Sequence, residues 1–455
     1  MSAVRLTQEL GAFASGLDAA KTPAEARARA IGGFIDCMGV MIAGASQDAA
    51  AIVRAVERPA GGAATLWPGG ERAVPRSAAL INGTAAHALD FDDTGLKGHP
   101  SAVLVPAILA VAEELGSSGD RMVTAYLAGY ETWAELIYRE TDQHPTKGWH
   151  ITGIFGAIGA AAACAHLRGL DARTTATAIA IGASQSSGLL SNFGSMTKPL
   201  HAGLAARSGV FAAELAAAGM SASEDALEHP QGFLGAVSPA GRIDLTSPVQ
   251  AGRTWRMLSA GLNVKKFPMC YCTHRAIDGA LDLRRKHGLT LDDIADVEVA
   301  MSARNATILR HHGPQEELEA KFSIEFAMAS AFAAGNVGLA EVRDDFVLRP
   351  EIQAFFPRVR TRTDVESDPV TGHSRFDKVE LRLKDGRVVD SGEITAARGA
   401  ASVPLTPAET FAKFKACLDS AGSSLDPDAL FERLTGLDGV ARAQDLFAVR
   451  ASAAA

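Results

Sequence analysis

The chain has 455 residues, 47% of them hydrophobic and 21% charged, which excludes a disordered polymer and leaves room for more than one core. A net charge of −8 without any basic cluster argues against nucleic acid or an anionic membrane surface as partner. Ala and Gly are abundant and aromatic residues make up only 6%, a composition suited to closely packed helices.

The chain starts Met1-Ser2-Ala3-Val4 and runs into an amphipathic pattern, so no signal peptide is expected. Thr22-Pro23-Ala24-Glu25 reads as a capping box with Pro at the first helical position, opening a helix to about Ala45. Helices are expected over 77–90, 101–115, 120–138, 153–167, 172–188 and 199–218. The apolar run 154–167 is too short to span a bilayer. Character changes near Gly261. Val297, Val299 and Met301 alternate with polar residues, as do 359–365 and Val379, Leu381 and Leu383, before an Asp385-Gly386 turn. A helix over 323–334 lies between these strands. Thr406-Pro407-Ala408-Glu409 is a second capping box, and the tail Ala451 to Ala455 is expected to fray.

The predicted fold is mainly α. A large all-helical domain covers 1–262, and a smaller α+β domain with an antiparallel sheet covers 263–400. A helical segment over 401–455 packs back on the first domain. Five scattered cysteines form no disulfide framework, which points to reduced thiols and the cytoplasm.

Four helix mouths carry a cationic or cationisable side chain: His99 before Pro100-Ser101, His150 before Ile151, Lys198-Pro199 with His201, and His274. Pro199 is expected at the first helical position. Positive charge there opposes the macrodipole by about 0.3–1 kcal/mol each. It is tolerated where an anion binds, because free N–H groups at helix N-termini attract carboxylates and phosphates. The bland alternative for any one histidine is a neutral capping or packing role. Lys265-Lys266 adds charge at the domain junction, a common place for a cleft.

His87, Asp90 and Thr94 share a face if the helix continues that far, and three carboxylates crowd its end. A Ca²⁺ or Mg²⁺ loop and a solvated helix end are the alternatives, though the spacing is not that of an EF-hand. Cys270-Tyr271-Cys272-Thr273-His274 offers two thiolates and an imidazole, but one intervening residue is unusual for structural zinc and no fourth ligand is near. Gly153, Gly156 and Gly159 do not have dinucleotide-binding spacing and serve close helix approach. No Walker A sequence or nucleophile elbow is present. No cofactor and no metal are expected.

Several strings together resemble the MmgE/PrpD family. They are His87-Ala-Leu-Asp90-Phe-Asp-Asp-Thr94, Gly98-His99-Pro100-Ser101, Gly148-Trp149-His150, Thr197-Lys198-Pro199-Leu200-His201, Lys266-Phe-Pro268 with His274, and Lys321-Phe322-Ser323-Ile324-Glu325. That family holds 2-methylcitrate dehydratases, cis-aconitate decarboxylases and an iminodisuccinate epimerase. The resemblance implies that the smaller domain is a lid, that the chain is a homodimer, and that a metal-free site lies between the domains. It carries catalytic or substrate-binding roles onto Asp90, Thr94, His99, His150, Lys198 and His274. Lyase members place a Tyr shortly after the Lys-Phe-Ser marker. Phe326 stands there instead, which brings the chain nearer the epimerase branch, and Tyr271 is the alternative hydroxyl.

The family chemistries share proton movement at a carbon next to a carboxylate. The expected assignment has His99 and His150 exchanging protons and Asp90 orienting one of them. Lys198 and Thr94 grip a carboxylate, and His274 holds a second carboxylate or completes the acid–base pair. Tyr271 joins the catalytic set, and His201 and Lys266 the substrate-binding one. The expected function is a cofactor-independent lyase on a small di- or tricarboxylate. An epimerase, or a non-catalytic carboxylate-binding protein, is the alternative.

Overall fold

Apolar side chains at helical spacing produce the run of helices that fills the first part of the chain. The structure, a computed structural model, describes residues 4–140, 147–368 and 373–448; the 451–455 tail lies outside them. The chain divides into two units, Met1–Leu262 with Thr410–Ala455, and Asn263–Glu409. Residues 401–409 therefore cluster with the second unit, not with the closing segment as expected.

In the first unit come α1 (Leu6–Gly16), α2 (Ala24–Gly44) and α3 (Asp48–Glu57), then β1 (Ala64–Leu66) and β2 (Glu71–Ala73). Next are α4 (Pro75–Ala88), α5 (Pro100–Leu115), α6 (Gly119–Arg139), α7 (Ile151–Leu167), α8 (Ala172–Ser184) and α9 (Thr197–Ala217). Two short helices, α10 (Phe233–Val237) and α11 (Arg256–Ser259), follow. The all-helical expectation is corrected by β1 and β2, which pair antiparallel as a small ribbon.

Small residues set the helix spacing. A Cβ at Gly44 would lie 2.0 Å from the Ala85 carbonyl oxygen, so α2 and α4 touch backbone to backbone there. A Cβ at Gly129 would lie 2.6 Å from the Gly159 oxygen, which brings α6 against α7 in the same way. The interior is closed by Phe34, Leu104, Ile108, Leu127, Phe155 and Ile158, each fully buried. Such a side chain contributes about 1.5–3 kcal/mol by leaving water.

Three local expectations need correction. The Thr22 hydroxyl donates back to the Ala19 carbonyl, so no capping box forms and α2 begins at Ala24 without a side-chain cap. Helix α4 stops at Ala88, before Asp90. Helix α9 begins at Thr197, which places Pro199 inside its first turn.

The second unit opens with α12 (His274–His287) and β3 (Ile294–Ala300), followed by the short helices α13 (Ala303–Ile308) and α14 (Glu317–Ala320). Then come α15 (Ile324–Ala334), α16 (Asp344–Val347), α17 (Pro350–Gln353), β4 (Val359–Arg362), β5 (Lys378–Leu383) and β6 (Val388–Asp390). The sheet order is β4-β3-β5-β6. It is mixed and not antiparallel: β3 runs parallel to β4 in the register Val297↔Val359. The helices between these two strands provide the crossover that a parallel pair needs.

The chain closes with α18 (Pro407–Ser420), whose Thr406–Glu409 capping box forms, and α19 (Pro427–Thr435). Lys413 on α18 donates to Asp36 of α2 and, at 2.8 Å, to the Phe91 carbonyl, while its ammonium sits 4.0 Å from the Phe91 ring centre. This latch holds the Phe91 segment from behind.

Candidate active site

The site grows out of the turn between α4 and α5. Asp90 adopts φ +50, a left-handed conformation that Asp tolerates better than most residues. That reversal folds the following residues back onto the end of α4. Gly95 and Gly98 exchange backbone hydrogen bonds at 2.9 and 2.8 Å, with Leu96 and Lys97 at φ +50 and +60 between them. Two positive φ values make this a type I′ turn without the usual Asn-Gly, a conformation costing about 1–3 kcal/mol per strained residue. Gly98 is required for space: a Cβ there would lie 2.9 Å from the Trp133 ring and 3.2 Å from the Thr152 amide. The His99 amide donates to the Thr152 hydroxyl at 3.2 Å, which fixes the mouth of α5 beside the mouth of α7.

The fold-back brings the fully buried Asp92 between two imidazoles. His87 Nδ1 lies 2.9 Å from Asp92 Oδ1, and His99 Nδ1 lies 2.9 Å from Asp92 Oδ2. Burial alone would raise the Asp92 pKa, but the two imidazoles at hydrogen-bond distance, His87 and His99, hold it well below the carboxylate range. Burial pushes His87 down to about 4 despite Asp92, so it is a neutral ring. The neighbouring Asp93 behaves oppositely. Burial, with Asp36 nearby, pushes it well above the carboxylate range, and it shares a short hydrogen bond with Ser101, which in turn meets Tyr126 at 2.7 Å. The surroundings thus push the pKa values of two adjacent aspartates in opposite directions.

His150 stands at the N-cap position of α7 and is buried, and its Nδ1 lies 3.0 Å from His201 Nδ1 on α9. One proton lies between those two nitrogens, so one ring donates and the other accepts. Burial, then the neighbouring His87 ring and the Lys198 ammonium, push the His150 pKa well below the usual imidazole range. Lys198 in the first turn of α9 places its ammonium 2.6 Å from Asp90 Oδ1, with the two side chains only 10% and 12% exposed. Phe193 joins these groups: its ring meets His150 edge-on at 4.9 Å, and the Lys198 ammonium lies 5.2 Å from its centre. His87 completes a row of imidazoles, 4.3 Å from the His99 ring and 6.0 Å from that of His150.

The first unit therefore gathers Asp90, His99, His150, Lys198 and His201 from the expected set. It adds His87, Asp92 and Phe193, to which the sequence assigned no site role. His87 and Asp92 lay within a quoted string, but only the Asp90 reversal brings Asp92 back to His87. Phe193 carried no sequence signal. Thr94 follows in the same turn, partly buried.

The remaining expected residues belong to the second unit. His274 is fully buried, its Nε2 is 3.3 Å from the Met269 carbonyl, and its ring packs between Phe267 and Tyr271. Burial pushes the Tyr271 hydroxyl up to about 12. Lys266 pairs with Glu409 at 2.6 Å. Phe326 is fully buried and meets Phe346 edge-on.

Among the described residues, ligand-capable atoms of His87, Asp90, Asp92 and His99 all lie within 4.8 Å of one another. Imidazole and carboxylate donors of this kind suit a divalent transition metal. The Lys198 ammonium already supplies positive charge at Asp90. The Cys270–Cys272 segment forms no comparable group among the described residues; Cys272 Sγ lies 3.8 Å from His373 Nδ1.

The chain matches the MmgE/PrpD N-terminal domain over residues 8–246 and the MmgE/PrpD C-terminal domain over residues 267–430. It is 28% identical over 334 residues to a cis-aconitate decarboxylase of Homo sapiens, covering 71% of this chain and 68% of that one. Identity to the Mus musculus cis-aconitate decarboxylase is 28% over 335 residues, with the same coverage. Identity to a cis-aconitate decarboxylase of Aspergillus terreus is 25% over 349 residues, covering 70% of each chain.

Proposed function

The chain belongs to the MmgE/PrpD family, and from that premise we propose that it is a cofactor-independent lyase acting on a small di- or tricarboxylate. The observation that carries this reading is the gathering of an imidazole row and the Lys198–Asp90 pair around three helix mouths of one unit. A substrate carboxylate fits there beside the Lys198 ammonium and the N-termini of α5, α7 and α9. Loss of carbon dioxide or water then leaves or requires negative charge on the adjacent carbon. Fixed positive groups in a site with little water stabilise that charge strongly. A histidine delivers or removes the proton at that carbon.

Decarboxylation of a cis-aconitate-type acid is the first activity to test, because the relatives reported above carry that name. Epimerisation of an aminosuccinate-type acid is a second reading, favoured by Phe326, a fully buried residue without a hydroxyl at the position where the family resemblance implies a Tyr in the lyases. The expected partners are the polycarboxylate and a second copy of the chain as a homodimer. No single helix among the described residues is long and apolar enough to cross a membrane. All five cysteines are free and buried, which supports a reducing cytoplasm.

The test is incubation with aconitate, citrate, methylcitrate and aminosuccinate-type acids in deuterium oxide, followed by NMR. A decarboxylase yields the shortened alkene acid and a dehydratase a new alkene. An epimerase places deuterium at the stereocentre without an alkene. Thermal-shift binding of such acids without turnover of any of them would support the non-catalytic alternative and overturn the lyase reading.

A further inference from the structure

The His99 ring can be assigned a tautomer from its contacts alone. Its Nδ1 faces two acceptors, Asp92 Oδ2 at 2.9 Å and the Asp93 carbonyl oxygen at 3.0 Å. The Asp93 backbone oxygen has no proton to offer, so Nδ1 must be the donor in that contact. His99 Nδ1 therefore carries a hydrogen, and in the neutral ring the lone pair is on Nε2.

Asp90 was expected to orient one of the histidines, but its carboxylate is taken by Lys198 at 2.6 Å. We infer that Asp92 is the positioning residue of this site: it fixes His99 with hydrogen on Nδ1 and makes the bare His99 Nε2 the nitrogen that exchanges a proton with the substrate carbon. This assignment rests on the proposed proton chemistry for its consequence, but not for its geometry. When the substrate C–H bond breaks, its electron pair stays on carbon and the proton goes to His99 Nε2. The resulting imidazolium keeps its Nδ1–H on Asp92, whose charge it faces directly. For decarboxylation the C–C bond to the departing carboxylate breaks, its electron pair stays on carbon as carbon dioxide leaves, and His99, entering as the imidazolium with a solvent proton on Nε2, delivers that proton to the carbanion and returns to the neutral Nδ1–H ring. A carboxylate placed behind an imidazole stabilises the cation that forms and holds the ring in one orientation. Asp92 is shared with His87, whose Nδ1 lies 2.9 and 3.1 Å from the two carboxylate oxygens and so helps hold the carboxylate in place. His87 Nε2 is buried without a hydrogen-bond partner among the described residues.

Two measurements on the full chain test this. Long-range proton–nitrogen NMR on ¹⁵N-histidine-labelled enzyme, with His99→Gln to assign the signal, reads the tautomer directly and needs no substrate. The expected result is hydrogen on Nδ1 of His99; hydrogen on Nε2 in the neutral ring overturns the inference. Asp92→Asn removes the charge while keeping the shape. Measured on whichever acid turns over, it should lower kcat by at least about 100-fold while KM stays within about threefold, because the Lys198–Asp90 pair is untouched. A folded Asp92→Asn enzyme with near-normal kcat overturns the inference. If that variant does not fold, the wild-type tautomer decides alone. If no acid turns over at all, the lyase reading fails while the tautomer signal still stands or falls independently.

Discussion

Replacing Lys198 with Met isolates the ion pair at the centre of the site. The Lys198 ammonium lies 2.6 Å from Asp90 Oδ1, and the two side chains keep only 10% and 12% of their exposure, so water screens the pair weakly. Removing one partner of such a pair costs about 3–5 kcal/mol, because the other charge stays out of water. The residual exposure places Lys198→Met near the lower end, about 3 kcal/mol. Asp90→Asn should cost a similar amount, leaving the ammonium against a neutral amide. The double variant removes both charges, so its cost should fall short of the sum by about 2 kcal/mol. Urea unfolding of the four proteins at pH 7.5 measures this directly. Turnover should fall at least about 100-fold in Lys198→Met and stay low in the double variant, since stability returns but the anion-stabilising charge does not. Strict additivity of the two stability losses, or a double variant that regains activity, would refute the reasoning.

Acidification should weaken the fold through His87. Its folded pKa is pushed down from 6.5 to about 4 by burial, so its contribution is present above pH 6.5 and lost as pH falls through 4. Such a drop is worth about 3 kcal/mol, and His87→Gln should flatten the urea midpoint across that window. Dialysis against a chelator should leave activity within about twofold, because Lys198 already supplies the positive charge at Asp90. Loss of activity restored by zinc or manganese would place a cation among His87, Asp90, Asp92 and His99. Gly44→Ala should destabilise by at least about 2 kcal/mol, because its Cβ would lie 2.0 Å from the Ala85 oxygen and force α2 from α4. Gly32→Ala on the same helix meets nothing within 4 Å and should stabilise by about 0.5–1 kcal/mol, as read by urea unfolding.

The site shows how far short-range pattern reaches. His99, His150 and Lys198 were legible because each sits at a helix mouth where amphipathicity gives it no reason to be. Helix boundaries follow from local spacing, and a cation at an N-terminus is a local anomaly. Asp92 was written in the sequence but could not be ranked against Asp90 or Asp93. Their difference depends on whether the chain continues as helix or reverses at Asp90, and on which buried groups then face each carboxylate.

The sequence by itself determined the succession of helices, the change to alternating strands after Gly261, and the charged residues at the helix mouths. Each of these follows from side-chain periodicity and backbone preference within a few residues. Only the tertiary structure decided that β3 and β4 run parallel, that Lys413 reaches back to Asp36, and that His150 faces His201. These pairings join residues far apart in the chain, and their free energies depend on burial and distance, which one-dimensional order does not contain. The same holds for the two neighbouring aspartates, whose pKa values the imidazoles beside Asp92 and the burial of Asp93 next to Asp36 push in opposite directions.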